Sequence, residues 1–194
     1  MRSTKLTTVL AVTGVLTTGG SGAYSPATAN HIYLTISGPG GQIKNDAGVS
    51  AVIEALKFSY SVDVPPTGIN TVTGVAVTAG THHYTPMHFS KYTGLASTEL
   101  YDAMIRGQPL SVTVDFVDTT ASAGTIGQPQ LQTRIQLTNA YVIGIQQTSQ
   151  PPGVNVDDIA LIARSVTFTT YVPGAGGTMV VGNTVTDSNP TFVE

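Results

Sequence analysis

Hydrophobic and polar residues alternate with a period of two in several stretches of the chain. The pattern is clearest in residues 56–64, 110–116 and 131–145. Successive side chains of a β-strand point to opposite faces of the sheet, so this period predicts strands with one face in a core and the other in solvent or a lumen. Residues 131–145 form either two strands or one long kinked strand. Less regular patterns predict further strands at residues 31–36, 159–172 and 179–181 and a frayed tail at residues 187–194.

The pattern takes a helical period at residues 97–106. Ser97 can cap the amino end of this helix, and Leu100 and Met104 lie four residues apart on one face. Gly107 follows, and glycine readily adopts the left-handed conformation that ends a helix. The sequence therefore predicts one short helix between strands, with Leu100 and Met104 packed on the sheet.

Proline and glycine interrupt the strand pattern after residue 64. Pro65 and Pro66 end the strand, because proline has no N–H to donate to a sheet. Residues 67–85 are rich in glycine and threonine, and a connection of this length is uncommon in a compact domain unless it has a partner. The segment is either an ordinary surface hairpin or a surface that contacts another molecule. Its apolar residues are Ile69, Val72, Val75 and Val77.

The composition fits a globular protein with many strands and few surface charges. Hydrophobic residues make up 41% of the 194 residues, which is enough for one domain with a sizeable core. Charged residues make up only 10%, well below the roughly one quarter usual for soluble proteins. The formal net charge of -3 offers no basic patch, so nucleic-acid binding is disfavoured. Cysteine is absent, which excludes disulfides, thiolate metal sites and cysteine nucleophiles.

The start of the chain has the three parts of a secretory signal peptide in the right order. Arg2 and Lys5 supply positive charge, and residues 6–16 form an uncharged, mostly apolar run. Residues 27–29 read Ala-Thr-Ala, which matches the small-residue step before a cleavage site.

This interpretation predicts a secreted protein with residues 1–29 as the signal peptide, and the alternative is a disordered leader rich in threonine and glycine. Cleavage is expected after Ala29, with Ala23 as the alternative. The apolar run of about eleven residues is shorter than the roughly twenty needed to span a bilayer, so a permanent membrane anchor is disfavoured. Residues 30–194 would then form one domain.

Three histidines, His82, His83 and His88, lie close together in sequence. Zinc sites usually add a carboxylate or a thiolate, and neither lies near these histidines in the sequence. We therefore interpret them as loop or interface histidines and expect no metal site.

Two pairs of aspartates are the other candidates for chemistry. Asp115 with Asp118, and Asp157 with Asp158, could serve acid–base catalysis or bind calcium. Both pairs lie at predicted strand ends, where aspartate is expected as a turn former. The sequence has no Gly-x-Ser-x-Gly elbow, phosphate loop or His-Glu-x-x-His helix, so it marks no catalytic residue and no cofactor site.

Several of these features occur together in the order found in a known family. They are the run Phe-Ser-Lys-Tyr at residues 89–92, a helix that opens at Ser97, a glycine at its end and a following alternating strand. This order resembles the Hcp family, the tube protein of type VI secretion systems. Residues 32–36 and 53–61 are similar to the family's opening strands, and residues 135–142 and 165–171 are similar to its closing strands. The likeness covers residues 31–185.

The resemblance implies a mainly β fold, an Hcp-like β-barrel of two packed antiparallel sheets with one short α-helix. It also implies a structural protein and no enzyme, because members of the family form six-membered rings that stack into a hollow tube and carry effectors in its lumen. The partner of the chain is then a second copy of itself, and no cofactor is implied. In the family an extended loop lies against the neighbouring subunit. The expected subunit interface therefore contains Ile69, Val72, Val75, Val77, His82 and His83.

The predicted signal peptide departs from the family, whose members are exported by the secretion machine itself. Two other functions therefore stay open, a secreted binding module on the same scaffold and a secreted hydrolase on a β-sandwich. The hydrolase would need a convergent pocket of titratable side chains, whereas the ring-forming protein would be an oligomer.

Overall fold

The computed structural model describes residues 30–45, 52–63, 66–69, 76–79, 82–119, 129–150, 153–175 and 178–193 of the chain. These residues form fourteen β-strands and one α-helix. The strands before the helix are β1 (Asn30–Gly38), β2 (Gly41–Gln42), β3 (Val52–Ala55), β4 (Lys57–Ser59), β5 (Val62–Asp63), β6 (Pro66–Ile69), β7 (Ala76–Ala79), β8 (His83–Tyr84) and β9 (Met87–Tyr92). The helix and the later strands are α1 (Leu95–Ile105), β10 (Leu110–Asp118), β11 (Gln130–Gln150), β12 (Val154–Pro173), β13 (Met179–Asp187) and β14 (Thr191–Phe192).

The main sheet closes on itself to form a barrel. Its antiparallel ladder runs from β1 through β10, β11 and β12 to β9. Residues 52–59 join the two ends of this ladder, because β3 pairs with β1 and β4 pairs with β9. Between them the Leu56 N–H donates to the Ser90 carbonyl oxygen at 2.8 Å. The predicted mainly β barrel of packed antiparallel sheets with one short helix is confirmed, and the packed layers are opposite walls of one closed sheet.

Alternating side chains fill the barrel, as the sequence predicts. On β10 the side chains of Leu110, Val112 and Val114 are buried, whereas Ser111 between them is exposed. Burying one such aliphatic side chain contributes about 1.5 to 3 kcal/mol, so the inner row of each strand is a main source of stability. Large apolar side chains with no exposed surface include Leu34, Ile36, Met87, Phe89, Leu100, Val112, Val114, Ile159 and Leu161.

Strand β11 is one long kinked strand, which decides between the two alternatives for residues 131–145. Ile135 and Leu137 are buried before the kink, and Ala140 and Val142 are buried after it. The inward-facing positions therefore change from odd to even numbers. Asn139 makes this change with a φ of 50°, a left-handed conformation that asparagine tolerates better than most residues.

Helix α1 begins earlier than the sequence predicts. Its N-cap is Gly94, so the prediction that Ser97 caps the helix is wrong. Ser97 lies in the first turn, and its hydroxyl accepts the Gly94 N–H at 2.9 Å. The other predictions are confirmed, because Leu100 is fully buried and Gly107 follows the helix with a φ of 57°.

The prediction of one continuous strand at residues 56–64 is wrong. Three short strands, β3, β4 and β5, occupy residues 52–63 instead. The break at Leu56 lets this segment turn from β1 to β9, and it leaves the Leu56 side chain 47% exposed. Pro66 opens β6 and does not simply end a strand, because it pairs with Ala79 across a hairpin.

The carboxyl-terminal part is more ordered than the sequence predicts. The short strand expected at residues 179–181 is the nine-residue β13, which pairs with the second half of β12. The frayed tail expected at residues 187–194 instead contains β14, which pairs in parallel with β8. Phe192 anchors it, since its ring lies 5.5 Å from the ring of Tyr84.

Candidate subunit interface

The segment predicted to be an interface contains the hairpin β6–β7. Its register places Pro66 opposite Ala79 and Ile69 opposite Ala76. Among the described residues the two strands pair only with each other. Val72 and Val75, and the side chains of Ile69 and Val77, lie outside the described part of the chain. Their place in an interface stays a prediction.

The strands that flank this hairpin in the sequence, β5 and β8, form a small sheet with β14, and we call this sheet the hairpin base. Strand β8 pairs with β5 on one side and with β14 on the other, so it joins the strands on either side of the hairpin in the sequence to the carboxyl-terminal segment. His83 lies within β8, opposite Asp63 and Thr191. His82 precedes the strand, and its Nε2 lies 2.5 Å from Oδ2 of Asp187 at the end of β13. Both predicted histidines are therefore at the hairpin base.

Tyr84 completes the polar cluster at the hairpin base. Its side chain is 5% exposed, and its ring contacts the His82 ring edge-on at 5.8 Å. Burial raises the pKa of the Tyr84 phenol, and the neighbouring Asp187 carboxylate raises it further by charge and by a hydrogen bond. The phenol stays protonated at neutral pH and can donate to Asp187. The side chains of His82 and Tyr84 thus both hold the end of β13 against β8.

A second polar centre lies inside the protein beneath the helix. Lys91 and Asp157 are 0% and 1% exposed, and Lys91 Nζ lies 3.7 Å from Asp157 Oδ2. The lysine donates to the Tyr92 carbonyl oxygen at 2.5 Å and to Ser97 Oγ at 2.9 Å. Ser97 in turn donates to Asp157 Oδ2. The centre therefore ties β9, the first turn of α1 and β12 together.

Hydrogen bonds set the charge state of Asp157. Burial acts to raise its pKa, but hydrogen bonds from Ser97, Thr93 and Gln147 outweigh burial with help from the charge of Lys91. The pKa of Asp157 is therefore below the ordinary value of 3.8. Its carboxylate is ionised at neutral pH and buried, which makes it a structural group and a poor proton donor.

The prediction that both aspartate pairs lie at strand ends as turn formers is wrong for three of the four residues. Only Asp118 lies at a strand end, the end of β10. Asp157 is buried within β12, and Asp115 lies within β10. The Asp115 carboxylate accepts two hydrogen bonds from Arg134, at 2.7 and 2.8 Å. The prediction failed because β12 begins before Asp157, at Val154, and not at residue 159.

The histidines do not converge on one site. His82 contacts Asp187, whereas His88 Nδ1 lies 3.5 Å from Asp158 Oδ1 on the neighbouring strand. Within the described ranges, no three histidine or acidic side chains form a group that could hold a metal ion.

The structure also shows exposed apolar residues that the sequence analysis did not identify as surface residues. Val180, Val181 and Val185 on β13 are 45%, 59% and 58% exposed. On α1, Tyr101 and Ile105 are 54% and 68% exposed. Gly182-Asn183 has the composition of a turn, and this concealed the second half of β13 in the sequence.

No helix in the described part of the chain is both long enough and apolar enough to cross a membrane.

Solved Hcp proteins have the same fold as this chain. Hcp1 from the E. coli EAEC 042 pathovar aligns with a TM-score of 0.61 and 23% identity over 82% of this chain and 99% of that one. Secreted protein Hcp3 from Pseudomonas aeruginosa aligns with a TM-score of 0.60 and 19% identity over 84% of this chain and 100% of that one. Hcp1 from Salmonella typhimurium aligns with a TM-score of 0.55 and 16% identity over 81% of this chain and 91% of that one. No curated protein matches the sequence.

The closed barrel with one short helix at its side places the protein among the Hcp-fold barrels. A family model described as type VI secretion system effector, Hcp, matches residues 33–170. The chain belongs to this family. The resemblance inferred from sequence is thus confirmed, and the protein is of the tube type found in type VI secretion systems.

Proposed function

We propose that the mature chain is a structural protein that assembles into hexameric rings, and that these rings stack into a tube able to carry effector proteins. The match to the Hcp family over residues 33–170 is the observation that carries this proposal. The tube would be built from copies of this chain alone, without a cofactor.

The unpaired hairpin supports self-assembly. A two-stranded hairpin on its own is marginally stable in water, and β6–β7 pairs with no other described strand. A partner that covers it would add both backbone hydrogen bonds and apolar contacts. In a closed ring one neighbour can cover the hairpin of the next subunit, so every hairpin gains a partner.

The polar centres favour a structural role over catalysis. Asp157 and Lys91 are buried, and Asp115 is paired with Arg134, so these charged groups are engaged in holding the fold. A hydrolase would need such groups to converge in an accessible pocket. We therefore propose no catalytic role for them.

We also propose that residues 1–29 are removed during export. The charged start, the apolar run and the Ala-Thr-Ala step support this proposal. Amino-terminal sequencing of protein from the culture fluid is expected to begin at Asn30, or at Tyr24 if cleavage follows Ala23. Recovery only from the cytosol, with Met1 or Arg2 at the terminus, would contradict export by this route.

The hairpin is expected to hold the subunits together. Replacing both Val75 and Val77 by aspartate should give a folded monomer, because two charges would be buried at each interface without a partner. Native mass spectrometry measures the oligomer, and circular dichroism checks that the variant keeps its β structure.

A control variant places a single aspartate elsewhere on the surface. Ile105→Asp adds an aspartate at a position on α1 that is 68% exposed, and it is expected to leave the oligomer intact. If the hairpin variant keeps its oligomer, the hairpin does not form the interface. A wild type that is already monomeric would favour the secreted binding module.

A further inference from the structure

A cleft lies between the turn that joins β1 to β2 and helix α1. Residues 38–43 line one side of it, and residues 98–103, 108 and 110 line the other. We call this space the helix cleft. Its volume is about 290 Å³, which is near the lower end of the range of roughly 300 to 1,000 Å³ for small-molecule sites. The floor is apolar, because Ile43, Ala103 and Leu110 are buried there.

Glycines shape the wall that the β1–β2 turn provides. A Cβ at Gly38 would lie 2.8 Å from Cδ2 of Leu110, so glycine lets the turn come close to the floor. Gly41 has a φ of 108°, a conformation that glycine adopts without strain. Gly40 meets neither requirement, because its φ is not left-handed and a Cβ there would contact nothing within 4 Å. The fold therefore tolerates a side chain at Gly40, and glycine there leaves the backbone open to a ligand.

Two carboxylates stand on the opposite wall. Glu99 and Asp102 both line the cleft, and residues three positions apart are neighbours on a helix surface. Glu99 Oε2 accepts a hydrogen bond from the Lys44 N–H at 3.3 Å, and Asp102 Oδ1 accepts one from Arg106 Nε at 2.7 Å. An ionised carboxylate has about four acceptor positions, so each of these groups can accept from a further donor.

The lining is selective for positive charge. The described residues that line the cleft include these two acids and no lysine, arginine or histidine, and Arg106 is not among them. Gln42 and Gln108 add side-chain carbonyl oxygens, which are also acceptors. A cation with several N–H donors would find acceptors on both walls, whereas an anion would be repelled.

We propose that the helix cleft binds a small organic cation, an ammonium or guanidinium group on a short alkyl chain. The carboxylates of Glu99 and Asp102 accept the N–H donors of the cation, and its methylene groups lie on the apolar floor. Such a group is either a free aliphatic amine or the end of a lysine or arginine side chain. The cleft is built from one chain, so this binding goes beyond the proposed ring assembly and does not depend on it.

Saturation-transfer NMR observed on the ligand measures this binding on the mature protein, whether it is a single chain or a ring. Butylammonium and butylguanidinium are the probes, and millimolar dissociation constants are expected because a ligand of few atoms in an open cleft makes few contacts. Butanol lacks the charge and butyrate reverses it. Both are expected to bind at least about fivefold more weakly, a factor that corresponds to about 1 kcal/mol, the upper value for an exposed charge pair.

Variants locate the binding. The double variant Glu99→Gln with Asp102→Asn is expected to weaken butylammonium binding by at least the same factor of about five. Glu54→Gln is the control, because Glu54 is an exposed carboxylate on β3 outside the cleft. Gly40→Leu should block the cleft without unfolding the protein, whereas Gly40→Ala adds one carbon and should keep binding. Circular dichroism checks the fold of each variant.

The outcomes distinguish the two sources of the cation and separate this inference from the ring. Binding of the capped amides of lysine and arginine as tightly as butylammonium would assign the cleft to a side chain of another protein. Binding of butylammonium and putrescine alone would assign it to free amines. Equal binding of butanol and butylammonium, or wild-type binding by the double carboxylate variant, would overturn the proposal. A monomeric native mass would contradict the ring and leave the cleft as it is.

Discussion

Replacing Lys91 by methionine is expected to lower the free energy of unfolding by about 3 to 5 kcal/mol, the range for breaking a buried ion pair by removal of one partner. The methionine fills similar space, but it leaves the Asp157 carboxylate at 1% exposure without its cation. It also removes the hydrogen bonds from Nζ to Tyr92 and Ser97. Urea unfolding followed by circular dichroism measures the loss.

Two comparisons test the cause of this loss. Lys57→Met removes an exposed lysine on β4 and is expected to change stability by less than about 0.5 kcal/mol. The pKa of Asp157 is below 3.8 in the folded protein, so its contribution to stability is present above that pH and is lost as the pH falls below it. The cost of Lys91→Met should therefore shrink in acid. A cost as small as that of Lys57→Met at neutral pH would contradict a stabilising ion pair.

Leu100→Ala is expected to lower the free energy of unfolding by about 2 to 5 kcal/mol, the range for removing a buried leucine side chain. Leu100 has no exposed surface and joins Ala103 and Ala96 on the buried face of α1. Met104, one turn further along, is partly buried against the same core. The truncation would leave a cavity between the helix and the barrel wall. Thermal or urea unfolding measures the loss in the free energy of unfolding.

The same helix provides the control for this prediction. Ile105→Ala also shortens an aliphatic side chain, but Ile105 is 68% exposed, so the change should stay within about 0.5 kcal/mol. Equal losses for the two variants would show that the helix does not pack on the barrel through Leu100. Near-wild-type stability of Leu100→Ala would show the same.

The sequence predicted the parts of the fold that depend on local pattern. The alternation in residues 110–116 identified β10 and its inner row, because side-chain period alone determines which residues face the core. Leu100 was placed correctly by helical spacing, and Gly107 by its backbone freedom. Leu56 was placed wrongly, because the bend that closes the barrel depends on β1 and β9, which are distant in sequence.

The two polar centres depend on contacts that no local pattern records. Asp157 contacts Lys91, which is 66 positions away (157 minus 91), and it was interpreted as a turn residue. One signal was present, because Lys91 continues the inward-facing row of Met87 and Phe89 on β9. A lysine in such a row needs a buried partner. Asp187 could not be paired with His82 from sequence, because the parallel pairing of β14 with β8 brings them together.

The mass of the purified mature protein in its native state tests the central claim most directly. Self-assembly predicts a hexamer, with six times the mass of the single chain, at tens of micromolar, a concentration at which even associations in the micromolar range are largely formed. Denaturing mass spectrometry of the same sample gives the mass of the single chain for this comparison. A monomer at that concentration would contradict the ring and leave an Hcp-fold barrel that acts as a single subunit.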